Sequence, residues 1–355
     1  MFDNIYPHKV NKNNSEEMKA LLEFFDAQDL KYESSVEYTV VFLDPNEKIV
    51  GTGSFEGNIL KCIAVAKEWR ERALFSQIVT HLVEVEAERG RYNIFVFTRF
   101  ENSNIFQGIG LRELSYSDKY FTLFETGFCG IDAYQKELLK LKVKGKDGTK
   151  AGAIVVNCNP FTFGHRFLIE SAASKVNHLY LIVVEEDRSL FPFKVRFELV
   201  KKGVKDIRNV TLIKGGKYVI SQYTFPTYFL RDESQKEIAR AQSELDIRLF
   251  ARWIAPVLNI KYRFVGTEEN CKTTELYNLA MKNILPEFGI ELIEIKRKKI
   301  KDQNLVISAS TVRNSIKFGD WGIVKKMVPK TTFDFLISDK AEEIIEKIKK
   351  SDSKH

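Results

Sequence analysis

The pattern of apolar and polar positions changes character near the middle of the chain. From Glu37 the runs EYTVVFLD, IVGTGSFEG and NILKCIAV are short, rich in β-branched and aromatic residues, and bounded by turn formers such as DPNEK. They predict three antiparallel strands joined by hairpins. Leu74, Ile78, Leu82 and Val85 then recur with helical spacing, so the stretch from about Trp69 to Glu88 reads as a helix covering one sheet face. NIFVFT and YFTLFET read as further strands, with a short helix near Asn102 to Gln107 and a turn at Gly108-Ile109-Gly110-Leu111 between them. The lysine-dense segment YQKELLKLKVKGKDGTK, from Tyr134 to Lys150, reads as a linker or connecting helix. Beyond it, AGAIVVN, HLYLIVV, VTLI, YRFVG and ELIEI read as strands. HRFLIESAASKV and FKVRFELVKKGV alternate with the first of them as amphipathic helices. Continuous apolar strands alternating with helices predict a doubly wound parallel sheet. The stretch from Thr331 to Lys350 reads as one terminal amphipathic helix packed on the same domain.

Length agrees with two cores, since 355 residues with 44% hydrophobic content exceed one ordinary domain. The expected division is a first domain over 1–130, a linker over 131–150 and a second domain over 151–355. Charge divides the same way. Residues 1–130 carry 14 basic and 20 acidic side chains, a net of −6; residues 131–355 carry 41 and 28, a net of +13. A basic half suits a polyanionic ligand, an acidic protein or nucleic acid, and charge alone does not choose among them. Cys62, Cys129, Cys158 and Cys271 form no CxxC or Cys/His cluster, so neither a zinc site nor a disulfide framework is expected, and the setting is read as reduced and cytoplasmic. No apolar run approaches signal-peptide or membrane-spanning length.

The most informative residues follow the first strand of the second domain: Asn157, Cys158, Asn159, Pro160, Phe161, Thr162, Phe163, Gly164 and His165, leading into a helix. A tight loop between a strand and a helix N-terminus offers unpaired N–H groups and a positive dipole end to an anion. Gly164 is expected to let a phosphate approach the main chain, and His165 to donate an imidazole N–H to it. A second such place is Ile307-Ser308-Ala309-Ser310-Thr311-Val312-Arg313, where Ser310 is read as the N-cap of a helix that begins at Thr311 and stops at Gly319. Arg313 would bring a guanidinium to that helix start. Lys194 and Arg196 begin another helix, with Phe193, Phe197, Val200 and Val204 forming its core face and the basic residues on the outer face. Gly266 and Thr267 end a strand where such sheets bind ligands. Taken singly, each piece is better explained as a helix-capping histidine, ordinary capping serines and a surface arginine; the pair of motifs does not reduce to that. Cys158 has no partner spacing for a nucleophile and reads as packing.

The first domain's order of elements resembles the acetyltransferase fold of the GNAT superfamily. Thr162-Phe163-Gly164-His165 after a first strand resembles the HxGH/TxGH signature of the nucleotidyltransferase superfamily, and Ile307 to Arg313 its ISxSxxR loop. More finely, NCNPFTFGHRFLIESAA behind a GNAT-like domain is similar to the citrate lyase ligase family, with FPFKVRFELVKKG, GKYVISQYTFPTYFL and FVGTEE in matching places.

That resemblance implies attack of acetate on the α-phosphate of Mg-ATP and transfer of the acetyl group to the thiol of a phosphoribosyl-dephospho-coenzyme A arm. The arm belongs to the citrate lyase acyl carrier subunit. It implies catalysis by His165, Thr162, Ser310 and Arg313, and nucleotide binding by those residues with Asn157, Asn159, Phe161, Gly164, Lys194, Gly266, Thr267, Ile307 and Ser308. No protein-built metal site is expected, and Mg²⁺ would enter with ATP. The acetate contacts are open among Asn157, Asn159 and the Gln222 to Tyr228 loop. The run Lys296, Arg297, Lys298, Lys299 and Lys301 reads as either a docking patch for the carrier or a solvated loop, and without interleaved aromatics it is a poor nucleic-acid platform. In the first domain, Arg70-Glu71-Arg72-Ala73-Leu74-Phe75 departs from the coenzyme A loop Q/R-x-x-G-x-G/A. Phe75 there is expected to obstruct pyrophosphate, which weakens a plain acetyltransferase reading. A cofactor-making adenylyltransferase and a non-catalytic binding module remain the competing classes.

Overall fold

The computed structural model describes residues 5–70, 73–118, 120–143, 150–185, 189–219, 235–267, 272–297, 299–300 and 305–351. Backbone contacts divide the chain into two units, one of residues 1–133 with 225–245 and one of residues 134–224 with 246–355.

The first unit contains strands β1 (Tyr6–Lys9), β2 (Tyr38–Leu43), β3 (Ile49–Glu56), β4 (Ile59–Val65), β5 (Asn93–Arg99), β6 (Arg112–Ser117) and β7 (Phe121–Gly127), with helices α1 (Ser15–Ala27), α2 (Leu74–Glu88) and α3 (Ser103–Gly108). The sheet order is β1-β2-β3-β4-β5-β7-β6. Its described pairings are antiparallel except β4 with β5, which run parallel and register only at Ile59 with Phe95 and Leu60 with Val96. This is the acetyltransferase-like arrangement that the sequence resembles. Three elements, β1, α1 and β6, lie outside the sequence-based expectation. Leu74, Ile78 and Leu82 of α2 are at most 1% exposed. They close on β3 because Gly51 and Gly53 carry no side chain there; a Cβ at Gly53 would lie 2.7 Å from both Ile78 and Leu82. Phe75 packs edge-on against Phe106, ring centroids 4.9 Å apart. Glu71 and Arg72 of the expected coenzyme-loop region lie outside the described residues.

Helix α4 (Ile131–Leu141) runs through the segment expected as linker or connecting helix. Its Leu138 is buried in the core of the second unit. That unit contains β8 (Ala151–Val156), α5 (Phe163–Ala173), β9 (His178–Val183), α6 (Phe193–Gly203) and β10 (Val210–Lys214). After α7 (Gln235–Leu249), which begins in the first unit, come a π-helical turn at Phe250–Ile254, α8 (Ala255–Leu258), β11 (Ile260–Gly266), α9 (Lys272–Ile284) and β12 (Glu291–Ile295). The five strands are ordered β10-β9-β8-β11-β12 and all run parallel. Alternate strand residues serve opposite cores: Leu179, Leu181 and Val183 face α5 and α6, while Tyr180 and Ile182 face α7, the π turn, α8 and α9. Both faces are thus covered, which is why these strands are apolar without alternation.

The chain ends in a small hairpin, β13 (Lys299–Ile300) with β14 (Leu305–Val306), and helices α10 (Ala309–Lys317), α11 (Trp321–Met327), α12 (Lys330–Leu336) and α13 (Glu342–Lys350). These four helices share a core of their own with Phe191 and Ile307. The single terminal helix expected from Thr331 onward is instead two, separated by a 3-10 turn at Asp339–Ala341. Leu336 and Ala341, both 0% exposed, each reach the core across that break.

Candidate active site

From β8 the sheet grows outward in both directions, to β9 on one side and β11 on the other. The carboxyl edge between β8 and β11 is therefore a topological switch point, where open parallel sheets leave a crevice. Helix α5 begins at that edge. Thr162 has extended backbone, φ −126° and ψ 167°, and its Oγ accepts from the His165 N–H at 3.3 Å. In return the Thr162 N–H donates to His165 Nδ1 at 3.1 Å, with the Thr162 hydroxyl 2.9 Å from the same nitrogen. A ring nitrogen that accepts cannot also hold the proton, so this network assigns the proton of the neutral imidazole to Nε2 and leaves that N–H as the donor. Burial, and secondarily the charge of Arg297, push the imidazole down to about 4. His165 therefore stays neutral at physiological pH.

The second motif reaches the same place. Ser308, φ −134° and ψ 158°, is the N-cap of α10 and accepts from the Thr311 N–H at 3.1 Å. This corrects the expectation that Ser310 caps a helix starting at Thr311: Ala309 and Ser310 are already helical, so the extended residue that a cap requires is Ser308. Ser310 lies exposed in the first turn, its Oγ 2.9 Å from that of Ser308. Gly164 has a further reason beside the expected one. A Cβ on it would lie 2.4 Å from the Ile307 carbonyl oxygen, so its bare backbone makes room for the second motif. Arg313, 7% exposed, donates from Nη1 to the Asn159 carbonyl at 2.6 Å. Two stretches 154 positions apart are joined by that bond.

The loop between β8 and α5 is tightly determined. Asn159 is buried and its Oδ1 accepts from the Phe191 N–H at 3.0 Å. Asn157 is exposed, and its side-chain amide pairs with the Ser189 hydroxyl at 3.0 Å. The Phe161 ring is wholly buried and stacks on His165, with centroids 6.0 Å apart. Burial pushes the Cys158 thiol far up, which fits the packing role read from the sequence. Arg196 overturns the expectation of an outer-face cation. It is 0% exposed and donates to the carbonyls of Phe191, Asn157 and Val184 at 2.9, 3.0 and 2.7 Å. The loops of the sheet edge converge on three carbonyl acceptors, and the planar guanidinium donates to all of them. Lys194 is exposed on the first turn of α6.

Gly266 and Thr267 close β11, where the Thr267 N–H donates to the Ile295 carbonyl at 2.9 Å. Arg297, assigned from sequence only to a basic run, returns to this point. Its Nε donates to the Thr267 carbonyl at 2.7 Å. Lys298, Lys301, Cys271 and the Gln222 to Tyr228 loop lie outside the described residues. Among the described residues no group of three His, Cys, Asp or Glu is placed to hold a metal ion, and no helix is long and apolar enough to cross a membrane.

Two helix N-termini and a neutral N–H donor thus meet at one edge of the sheet, with Arg313 bonded across them to the Asn159 carbonyl, an arrangement suited to polyphosphate and to negative charge developing on it. Comparison with known proteins gives a consistent answer. Residues 151–336 match the citrate lyase ligase C-terminal domain. The chain is 38% identical over 318 residues to the [citrate [pro-3S]-lyase] ligase of Haemophilus influenzae, covering 88% of this chain and 93% of that one. It is 34% identical over 341 residues to the Escherichia coli protein of the same name, covering 95% of each. A phosphopantetheine adenylyltransferase of Petrotoga mobilis is 34% identical over only 65 residues, 18% of this chain and 40% of that one.

Proposed function

Because the chain belongs to the citrate lyase ligase family, we propose that its parallel-sheet unit uses ATP to activate acetate and passes the acetyl group to the thiol of the citrate lyase acyl carrier protein. An acetate oxygen forms a bond to the α-phosphorus while the bond to the β-phosphate oxygen breaks, giving acetyl-adenylate and pyrophosphate. The carrier's thiolate then forms a C–S bond at the acetyl carbon and AMP leaves. We take the nucleotide to enter as its magnesium complex and the thiol to be that of a phosphoribosyl-dephospho-coenzyme A arm. The cytoplasm is the setting, in keeping with the reduced cysteines read from the sequence.

The observation that carries this reading is the state of His165. Its Nδ1 is held by the Thr162 N–H and its ring is kept neutral, so it can donate from Nε2 to a phosphate oxygen without exchanging a proton. The N–H groups at the start of α5, the exposed Ser310 hydroxyl and the start of α10 add donors on the same crevice. Arg313 holds the loop at Asn159 and contributes positive charge. Lys194, Gly266 and Thr267 lie on the same edge of the sheet and are assigned to the nucleotide, as are Asn157, Asn159 and the main chain at Phe161 and Ile307. Catalysis is positional and electrostatic, with no covalent enzyme intermediate.

The test is acetate-dependent exchange of labelled pyrophosphate into ATP, followed by acetylation of a thiol-bearing carrier. Both should occur with the unmodified chain, and His165→Ala should lower exchange by about 10²–10³-fold, the usual cost of one transition-state donor. Exchange driven by phosphopantetheine in place of acetate would instead establish the adenylyltransferase reading suggested by the short Petrotoga mobilis match.

A further inference from the structure

We propose that Arg196 is a positioning residue for the reaction: from the first turn of α6 it fixes the course of the loop between β8 and α5, and through that loop the direction in which His165 presents Nε2. The loop contains a residue that does not hold its own shape. Cys158 lies in the left-handed region at φ 55°, a conformation that residues with a side chain rarely adopt and that persists only where the surroundings enforce it. The carbonyls on either side of it are both taken by arginines. That of Asn157 accepts from Arg196 Nη1 at 3.0 Å, and that of Asn159 from Arg313 Nη1 at 2.6 Å.

The Arg196 guanidinium has little freedom of its own. Nη1 also donates to the Val184 carbonyl at 2.7 Å, and Nε to that of Phe191 at 2.9 Å. Val184 follows β9 directly, and its N–H donates to the Val156 carbonyl at the end of β8 at 2.9 Å. The Phe191 N–H donates to Asn159 Oδ1 at 3.0 Å. One planar fork is thus tied to the ends of two strands and, by way of Phe191, to the loop a second time. Helix α6 meets the loop again at its far end, where a Cβ on Gly203 would lie 2.2 Å from the Phe161 ring. That ring stacks on His165, and the next residue, Thr162, carries the N–H that holds His165 Nδ1. The loop is therefore laid along α6 from Asn157 to Phe161, and His165 inherits its orientation from that seat. A lysine ammonium, a point charge without the fixed spacing of the fork, cannot serve the same three carbonyls. The inference deepens the proposed function and rests on its use of His165.

The test follows the His165 ring by ¹⁵N NMR, together with acetate-dependent pyrophosphate exchange, in the full-length chain and its Arg196→Lys and Gly203→Ala variants. In the unmodified chain the ring should keep its proton on Nε2 until pH falls to about 4. Arg196→Lys keeps the charge and loses the fork, so a change at His165 reports geometry. It should mix the two ring tautomers, raise the titration toward the ordinary 6.5, and lower kcat at least tenfold, with a smaller effect on the KM for Mg-ATP. Gly203→Ala displaces Phe161 from the other end of the loop with Arg196 in place, and should move the same signals. A His165 ring unchanged in tautomer and titration in either variant would overturn the proposal, as would an Arg196→Lys chain that melts earlier but keeps its kcat, the mark of a merely structural role. Absence of acetate-dependent exchange in the unmodified chain would sink the ligase chemistry, while the ring signals would still decide whether Arg196 positions His165.

Discussion

His165 shows how much of a side chain's character comes from its position in a cap. In a capping box the third helical residue reaches back to the N-cap N–H, a task usually given to Glu or Gln. Histidine there spends Nδ1 on the cap and carries its proton on Nε2. This has a consequence for stability. The folded chain holds the imidazole at about 4 against an ordinary value of 6.5, so between those values the unfolded chain binds more protons. The contribution is fully present above pH 6.5 and is lost as pH falls toward 4. His165→Gln keeps the capping geometry but does not titrate. Its stability should therefore fall less than that of the unmodified chain between pH 6.5 and 4, by on the order of 1–3 kcal/mol. Urea unfolding midpoints across that window measure the difference, and parallel curves would show that His165 is not held neutral by the fold. Arg196 teaches the opposite lesson: read as a solvated cation, it is a buried donor set.

At the scale of elements, the site is made by the close passage of two helix starts. Gly164 at the start of α5 and Ile307 just before α10 approach so nearly that a single methyl group would collide with a carbonyl. Gly164→Ala must therefore displace the second motif. A stability loss of about 1–3 kcal/mol is expected, as for overpacking elsewhere, together with at least a tenfold weaker Mg-ATP affinity. Gly266→Ala is the control, because its new Cβ would meet nothing nearer than 3.7 Å. Its effect on stability should stay within about 0.5 kcal/mol. Thermal melts of the two variants and a nucleotide titration of Gly164→Ala check this, and equal losses of stability in both would show that the Gly164 contact is unimportant. The same junction explains why α10 was placed one cap too late from sequence: Ser308 and Ser310 are both competent caps, and only the packing of Ile307 chooses between them.

For the whole molecule, the contact division does not follow chain order, since residues 225–245 belong with 1–133. Ser115 donates to the Leu245 carbonyl at 2.7 Å and Ser117 to Glu244 Oε2 at 2.9 Å, both buried. A chain beginning at Tyr134 would take both serine donors away from α7, at roughly 1 kcal/mol each. Amide exchange in α7 around Glu244 should accordingly rise by at least tenfold in that fragment, while protection in β8 and β9 persists. Unchanged protection in α7 would show that the first unit does not support it. What the sequence determined by itself is whatever depends on local period and local chemistry. That includes the α/β order of the second unit, the hairpin strands of the first, the two motifs at helix starts, and the family they resemble. Short polar-rich elements such as β1 and β6 escaped because their period is too brief to stand out. The tertiary structure alone decided which hydroxyl caps α10, which arginine is buried and which folds back onto Thr267, and which unit holds the first half of α7. These depend on carbonyls and helices brought together from distant positions, and no local pattern encodes where a remote acceptor will lie.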